Sequence, residues 1–241
     1  MSSNHQYKTT DNWEDLTGLT DEVKDLLMFL KNSGCSGFDC TENSQNILKN
    51  WGRGFIAADD NLERARHDIE GCRLCGLHQD RKYIVFGEGA INAKLVFVGE
   101  GPGFEEDQTG RPFVGKAGQL LTKIIQAMNL TRDDVYICNI IKCRPPGNRN
   151  PKPEEIQACL PYLRRQIRLI QPDFICALGT FAAQTLLETA TPISRLRGKF
   201  HEYKGIRMMP TYHPSYLLRN PEKKRDVWED IKKLMKEMDL L

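Results

Sequence analysis

Leu95-Val96-Phe97-Val98-Gly99-Glu100-Gly101-Pro102-Gly103 is the stretch that decides how this chain folds. Four apolar residues stopped by glycines and a proline read as a short buried strand whose far end opens into a loop. In open α/β sheets ligands bind in the crevice outside the carboxyl ends of the strands, which puts Glu100 where a substrate would arrive. The competing reading is a tight turn carrying a solvated glutamate.

Outward from this strand, helix and strand patterns alternate. Residues 116–129 place Leu120, Leu121, Ile124, Ile125 and Met128 on one helical face. Residues 135–141 read as a second strand, and Pro153 to Ile170 as a helix opened by a proline and two acids, Glu154 and Glu155. A third strand over 174–178, a third helix over 180–189, a fourth strand over 206–209 and a final amphipathic helix over 221–238 follow. Upstream, residues 62–70 read as a short helix and residues 83–86 as a strand or extended edge. Such alternation predicts a parallel sheet covered on both faces. Three strand ends then converge on one edge: Glu100, Asn139 and Tyr212-His213-Pro214-Ser215.

The chain of 241 residues, 40% of them hydrophobic, can hold one good-sized domain with an extension. No apolar run approaches the roughly 20 residues of a membrane span, and residues 1–11 lack the basic-then-apolar order of a secretory signal. A cytoplasmic protein is expected. Residues 1–60 carry five Lys and Arg against ten Asp and Glu, a net of −5, and the remainder 29 against 22, or +7. The larger part therefore permits an anionic partner such as nucleic acid. Residues 1–60 read as an acidic, partly flexible extension with one amphipathic helix after Thr20, and residues 61–241 as the main domain.

Eight cysteines in such a chain are better explained by metal or packing than by disulfides. Cys138 and Cys176 sit in apolar runs and read as core. Cys35 and Cys40 fall in the extension and read as free thiols. Cys72 and Cys75 form a C-x2-C, and Cys143 and Cys159 flank the stiff, basic loop Arg144-Pro145-Pro146-Gly147-Asn148-Arg149-Asn150-Pro151-Lys152-Pro153. Four thiolates suit zinc or an iron–sulfur cluster, and spacing alone does not separate them.

The remaining candidates each have a plain and a functional reading. The glycine turn at 99–103 is neither G-x-G-x-x-G nor a Walker sequence, which argues against a nucleotide cofactor. Phe113, in Gly110-Arg111-Pro112-Phe113-Val114-Gly115, is either a core residue or a stacking platform for a planar ligand. Asn139, inside an apolar strand, is either a structural hydrogen-bond hub or a reader of a donor–acceptor edge such as uracil presents through O4 and N3–H. His213 either starts a helix or stabilises negative charge developing on a substrate oxygen.

Together the residues Gly99-Glu100-Gly101-Pro102-Gly103, Glu106-Asp107, Gly110 to Gly118, Asn139, Lys142 to Arg149, Cys159 and His213-Pro214-Ser215 resemble the family 4 uracil-DNA glycosylases, the iron–sulfur type of bacteria and archaea. The resemblance spans residues 61–238 in order. It implies a three-layer α/β/α sandwich around a four-stranded parallel sheet, and a [4Fe–4S] cluster on Cys72, Cys75, Cys143 and Cys159. It implies action as a monomer on uracil-containing DNA, with free uracil and an abasic site as products. Phe113 is then the ring on which the flipped uracil stacks, and Asn139 the reader of its edge. Gly99, Glu100 and Gly101 line the pocket, Glu100 positioning or activating water, and His213 donates to the departing uracil. Pro214 and Ser215 press on the DNA backbone. Family 1 enzymes of the same superfamily carry an aspartate where this chain has Gly101, which makes Glu106 a second candidate for assisting the water. A related group links covalently to the abasic sugar through a histidine near the Pro-rich loop. Residues 144–153 contain no histidine, which favours simple hydrolysis. The competing class is a metal-stapled nucleic-acid-binding module, and residues 1–60 could carry replication or repair contacts.

Overall fold

The computed structural model describes residues 60–240. The expected helix after Thr20, Cys35 and Cys40 lie outside the described residues.

Six strands form one sheet: β1 (Glu88–Gly89), β2 (Leu95–Gly99), β3 (Tyr136–Asn139), β4 (Phe174–Leu178), β5 (His201–Tyr203) and β6 (Ile206–Thr211), in the order β1-β3-β2-β4-β6-β5. The four central strands β3, β2, β4 and β6 are mutually parallel, as expected. The strand count differs from the expected four, because β1 pairs antiparallel with β3 and β5 antiparallel with β6. Both edge strands are too short, at two and three residues, to show a period-two pattern. Residues 84–87 carry no ladder; Val85 N–H donates to the Lys142 carbonyl, side chains of Gln166 and Arg66 donate to the Phe86 and Gly87 carbonyls, and the strand begins only at Glu88.

The helices are α1 (Leu62–Ile69), α2 (Phe104–Thr109), α3 (Lys116–Ala127), α4 (Pro153–Ile170), α5 (Thr180–Leu187), α6 (Ile193–Leu196), α7 (Pro214–Arg219) and α8 (Lys224–Glu237). Alternation along the parallel strands separates two cores. Val96, Val98, Cys138, Ile175 and Ala177 pack with Leu163 and Ile167 of α4 and Ala182, Ala183 and Leu186 of α5. Leu95, Phe97, Ile137, Cys176 and Met209 pack with Leu121 and Ile125 of α3 and Val227, Ile231 and Leu234 of α8. Strands buried on both faces are what covering helices produce, and the result is a three-layer α/β/α sandwich. Cys138 and Cys176 are 0% exposed, in keeping with a core role. Among the described residues no helix is long and apolar enough to cross a membrane.

The chain passes from β2 to β3 on one side, then crosses back to β4 on the other. That reversal opens a crevice at the carboxyl ends of the strands, the place where α/β sheets bind ligands.

Candidate active site

A cleft of about 780 Å³ occupies that crevice, and its lining includes Glu100, Gly101, Phe113, Asn139 and His213. Register explains the meeting. Gly99 and Asn139 are paired across β2 and β3, and the ladder continues as Ile140 N–H and Ile141 N–H donate to the carbonyls of Gly99 and Glu100. A side chain at position 99 has no room: a Cβ there would stand 2.4 Å from Asn139 Oδ1 and 2.5 Å from Phe113 Cζ. Gly99 is therefore the floor on which the Asn and Phe side chains close. At Gly101 a Cβ would press on Ile141 Cγ1 at 2.6 Å, so an acid at this position requires Ile141 to move.

Asn139 is 1% exposed, and its Oδ1 is buried without a hydrogen-bond partner. An unsatisfied buried acceptor costs about 1–3 kcal/mol, a penalty that a ligand N–H would relieve. Its backbone is held by a buried cation: Lys142 Nζ donates to the Asn139 carbonyl at 2.8 Å and to Gln166 Oε1 at 2.5 Å. Gln166 in turn donates to the Phe86 carbonyl and to Tyr136 Oη. Burial pushes the Lys142 ammonium below its ordinary range.

Phe113 is 6% exposed and sits at φ +52°, a left-handed conformation that a bulky residue adopts only when its surroundings impose it. Two clamps do so here. Glu106 accepts from Val114 N–H at 2.8 Å and Gly115 N–H at 2.9 Å through Oε1, and from Gly103 N–H at 3.1 Å through Oε2. Arg132 donates to the Pro112 carbonyl at 2.7 Å and the Phe113 carbonyl at 3.1 Å, while its guanidinium rests on Glu88 at 2.6 Å. The first turn of α3 seals the loop from behind, since a Cβ at Gly118 would stand 1.9 Å from the Phe113 carbonyl. Both Glu106 oxygens thus accept from backbone amides, and this second candidate for assisting the water stands in the structure as a clamp on the loop.

His213 caps α7. Its Nδ1 accepts from Ser215 N–H at 3.1 Å and lies 2.8 Å from Ser215 Oγ. A nitrogen that accepts a backbone N–H carries no proton, so the neutral ring is protonated at Nε2. Burial, aided by the positive charge of Arg219, holds the imidazole pKa down to about 4. The ring centroid lies 5.6 Å from that of Phe113. Glu100 has no side-chain donor among the described residues, and burial raises its carboxyl above the usual range.

Cys72, Cys75, Cys143 and Cys159 line one small cavity between the end of α1, the Pro-rich loop and α4. Two sulfurs already receive donors: Arg81 Nη1 to Cys143 Sγ at 3.3 Å and Lys142 N–H to Cys159 Sγ at 3.2 Å. Burial pushes the Cys143 thiol up and the Cys159 thiol to about 11. A bound cation would reverse that trend by deprotonating them. Four thiols in one cavity with N–H donors to sulfur fit an iron–sulfur cluster. Among the described residues no three His, Cys, Asp or Glu side chains converge as a single-ion site.

Glu100, Phe113, Asn139 and His213 were legible in sequence and share the cleft. Glu88 and Arg132 were not singled out, and Lys142 was quoted only as part of the 142–149 motif, with no role. Lys142 carried one signal, a cation directly after the apolar run 135–141.

A strand-end cleft lined by an aromatic ring, a buried amide with an unpartnered oxygen and a neutral imidazole marks this chain as an α/β sandwich with a ligand-sized site at the carboxyl edge of its sheet. A family model described as the uracil DNA glycosylase superfamily matches residues 86–232, and the chain belongs to that superfamily. Within it, the chain is 48% identical over 176 residues to a type-4 uracil-DNA glycosylase of Thermotoga maritima, covering 71% of this chain and 92% of the relative. It is 43% identical over 183 residues to the type-4 enzyme of Archaeoglobus fulgidus, covering 73% and 92%. A type-5 uracil-DNA glycosylase of Pyrobaculum aerophilum is 34% identical over 146 residues, covering 54% and 64%. Its place in the superfamily is with the type-4 enzymes.

Proposed function

We propose that the chain excises uracil from DNA by hydrolysing its N-glycosidic bond, and that residues 61–241 carry this activity. The observation that carries the reading is the buried, unpartnered Asn139 Oδ1 facing the Gly99 floor beside Phe113. The uracil first leaves the helix, at a cost of a few kcal/mol that is least for mismatched or single-stranded positions. It stacks on Phe113. Asn139 Oδ1 accepts from N3–H while Nδ2 donates to O4, an arrangement that cytosine, with N3 an acceptor and N4 a donor, opposes at both atoms. As the C1′–N1 bond breaks, the electron pair moves into the base, and His213 Nε2–H donates to the oxygen that gains charge. Because the ring is neutral at neutral pH, it stabilises this charge by donating a hydrogen bond, and no proton has to pass to the base from the histidine. Water attacks C1′ from the side of Glu100, whose carboxylate orients it and balances the sugar cation. The water oxygen bonds to C1′ and gives up one proton, the uracil anion takes up one proton as it leaves, and uracil and an abasic site result with no covalent enzyme intermediate.

Cys72, Cys75, Cys143 and Cys159 are read as ligands of a [4Fe–4S] cluster. When bound, that group cross-links the end of α1 to the Pro-rich loop, and glycosidic hydrolysis asks no electron of it. Action as a cytoplasmic monomer, with residues 1–60 free to contact replication or repair proteins, completes the reading.

Purified protein is incubated with a single-stranded oligonucleotide carrying one uracil, then with alkali. Strand scission at the uracil position is expected; binding without scission overturns the enzymatic reading in favour of a nucleic-acid-binding module. Iron and sulfide analysis of the same preparation should give a brown protein with both elements. A colourless, active protein with stoichiometric zinc overturns the cluster assignment.

A further inference from the structure

Phe104 opens α2 and is 52% exposed, yet it lines the same cleft as Phe113, Asn139 and His213. Single exposed apolar residues are ordinary on a protein surface. This one differs from the exposed Leu74, Tyr83, Ile91, Leu218 and Trp228, none of which lines the cleft. It also has a partner. The Arg144 guanidinium lies over its ring at 5.1 Å from the centroid, and Arg144 is fixed from the other side by Nε donating to Asn148 Oδ1 at 2.7 Å. The ring is thus held by a cation from the basic Pro-rich loop while much of its surface stays open. The cleft, at about 780 Å³, is larger than one pyrimidine ring requires. Its lining continues from the base pocket at Phe113 to Phe104 and the Pro-rich loop at Pro145, Asn148 and Arg149.

We propose that Phe104, backed by Arg144, is a second subsite: a stacking platform for the nucleobase adjacent to the uracil. The inference rests on the glycosylase reading and extends it to a neighbour of the target. Extruding one nucleotide strips the adjacent base of a stacking partner. A fixed aromatic ring replaces that partner for any base, because every base presents a π face, and the nearby guanidinium attracts the backbone phosphate. The subsite therefore favours single-stranded or locally unstacked DNA without imposing a sequence.

The test is a cycle between the protein ring and the substrate base. Single-stranded oligonucleotides with one uracil carry either a normal nucleotide or a tetrahydrofuran spacer on its 5′ or 3′ side. Each is assayed with wild-type protein, Phe104→Ala and Phe104→Trp, and urea unfolding checks the fold. Wild-type protein should lose on the order of five- to a hundredfold in kcat/KM when the neighbouring base is removed on one side only. Phe104→Ala should show that same loss on the intact substrate, expressed in KM and not in kcat, and no further loss on the spacer. Phe104→Trp should restore the wild-type pattern. Losses that simply multiply, or an Ala variant indistinguishable from wild type, overturn the platform while leaving the glycosylase reading intact. Wild-type protein that releases no uracil from any substrate overturns the glycosylase reading itself, and the platform with it.

Discussion

Replacing Glu106 by Gln separates a clamp from a catalyst. The carboxylate accepts three backbone N–H groups, two on Oε1 from Val114 and Gly115 and one on Oε2 from Gly103. Glutamine keeps the shape but loses the charge and one acceptor. With its amide oxygen turned to Val114 and Gly115, two charge-assisted bonds become neutral ones, each weaker by about 1 kcal/mol. The Gly103 N–H then faces an NH2 group and stays unpaired, which costs about 1–3 kcal/mol more. The expected total is about 3–5 kcal/mol, against a typical stability of about 5–15 kcal/mol. Glu106→Gln should therefore fold, but its urea midpoint should fall by about 1–2.5 M for a slope of about 2–3 kcal/mol/M. Phe113 loses one of its two clamps, and excision should slow by up to about a hundredfold as the ring loses its position. Urea unfolding followed by intrinsic fluorescence, paired with single-turnover uracil release, checks both numbers. An unchanged midpoint with a rate loss of a hundredfold or more would refute the clamp and make Glu106 a general base.

His213→Ala should lower single-turnover excision on the order of a hundred- to a thousandfold with folding intact; near-normal cleavage would remove His213 from the mechanism. Because the folded imidazole titrates at about 4 and the unfolded one near 6.5, the unfolded chain binds the extra proton as pH falls through that window. Stability should accordingly drop by up to roughly 3 kcal/mol between pH 6.5 and 4, and the Ala variant should lack this slope in pH-dependent unfolding. Asn139→Asp should weaken discrimination between uracil and cytosine, read as the ratio of release rates from matched oligonucleotides; unchanged rejection of cytosine would count against the edge-reading role. Gly99→Ala should push Asn139 or Phe113 out of place, with a rate loss on the order of a hundredfold and a stability loss of about 1–3 kcal/mol measured in urea.

The central architecture was readable because its causes are local. The runs 95–98 and 174–178 are apolar throughout, as strands buried on both faces must be, and the 3.6-residue stripe of 116–129 marks α3. The helix from Pro153 to Ile170 announces its start with a proline and two acids, and its bounds match the expected ones. The edge strands at Glu88–Gly89 and His201–Tyr203, and the short helices Phe104–Thr109 and Ile193–Leu196, left no such trace. The two edge strands span at most three residues and the two helices at most six, too few to show a sustained alternation or more than two helical turns.

The sequence by itself determined the candidates: an acid after one strand, an amide in another, a histidine after a fourth, a ring between glycines, and four cysteines whose number and thiol chemistry suit a metal. It could do so because each is a polar or aromatic exception in a strongly patterned context. Only the tertiary structure separated two nearby acids by their surroundings. Glu100 and Glu106 look alike as residues, and the difference lies in what surrounds them: Glu100 meets no side-chain donor, while Glu106 meets amides from Gly103, Val114 and Gly115. The buried Lys142 behind Asn139 and the Arg132 clamp on Phe113 belong to the same class of fact. The Lys142–Gln166 and Arg132–Phe113 bonds join positions 24 and 19 residues apart, which no local periodicity records.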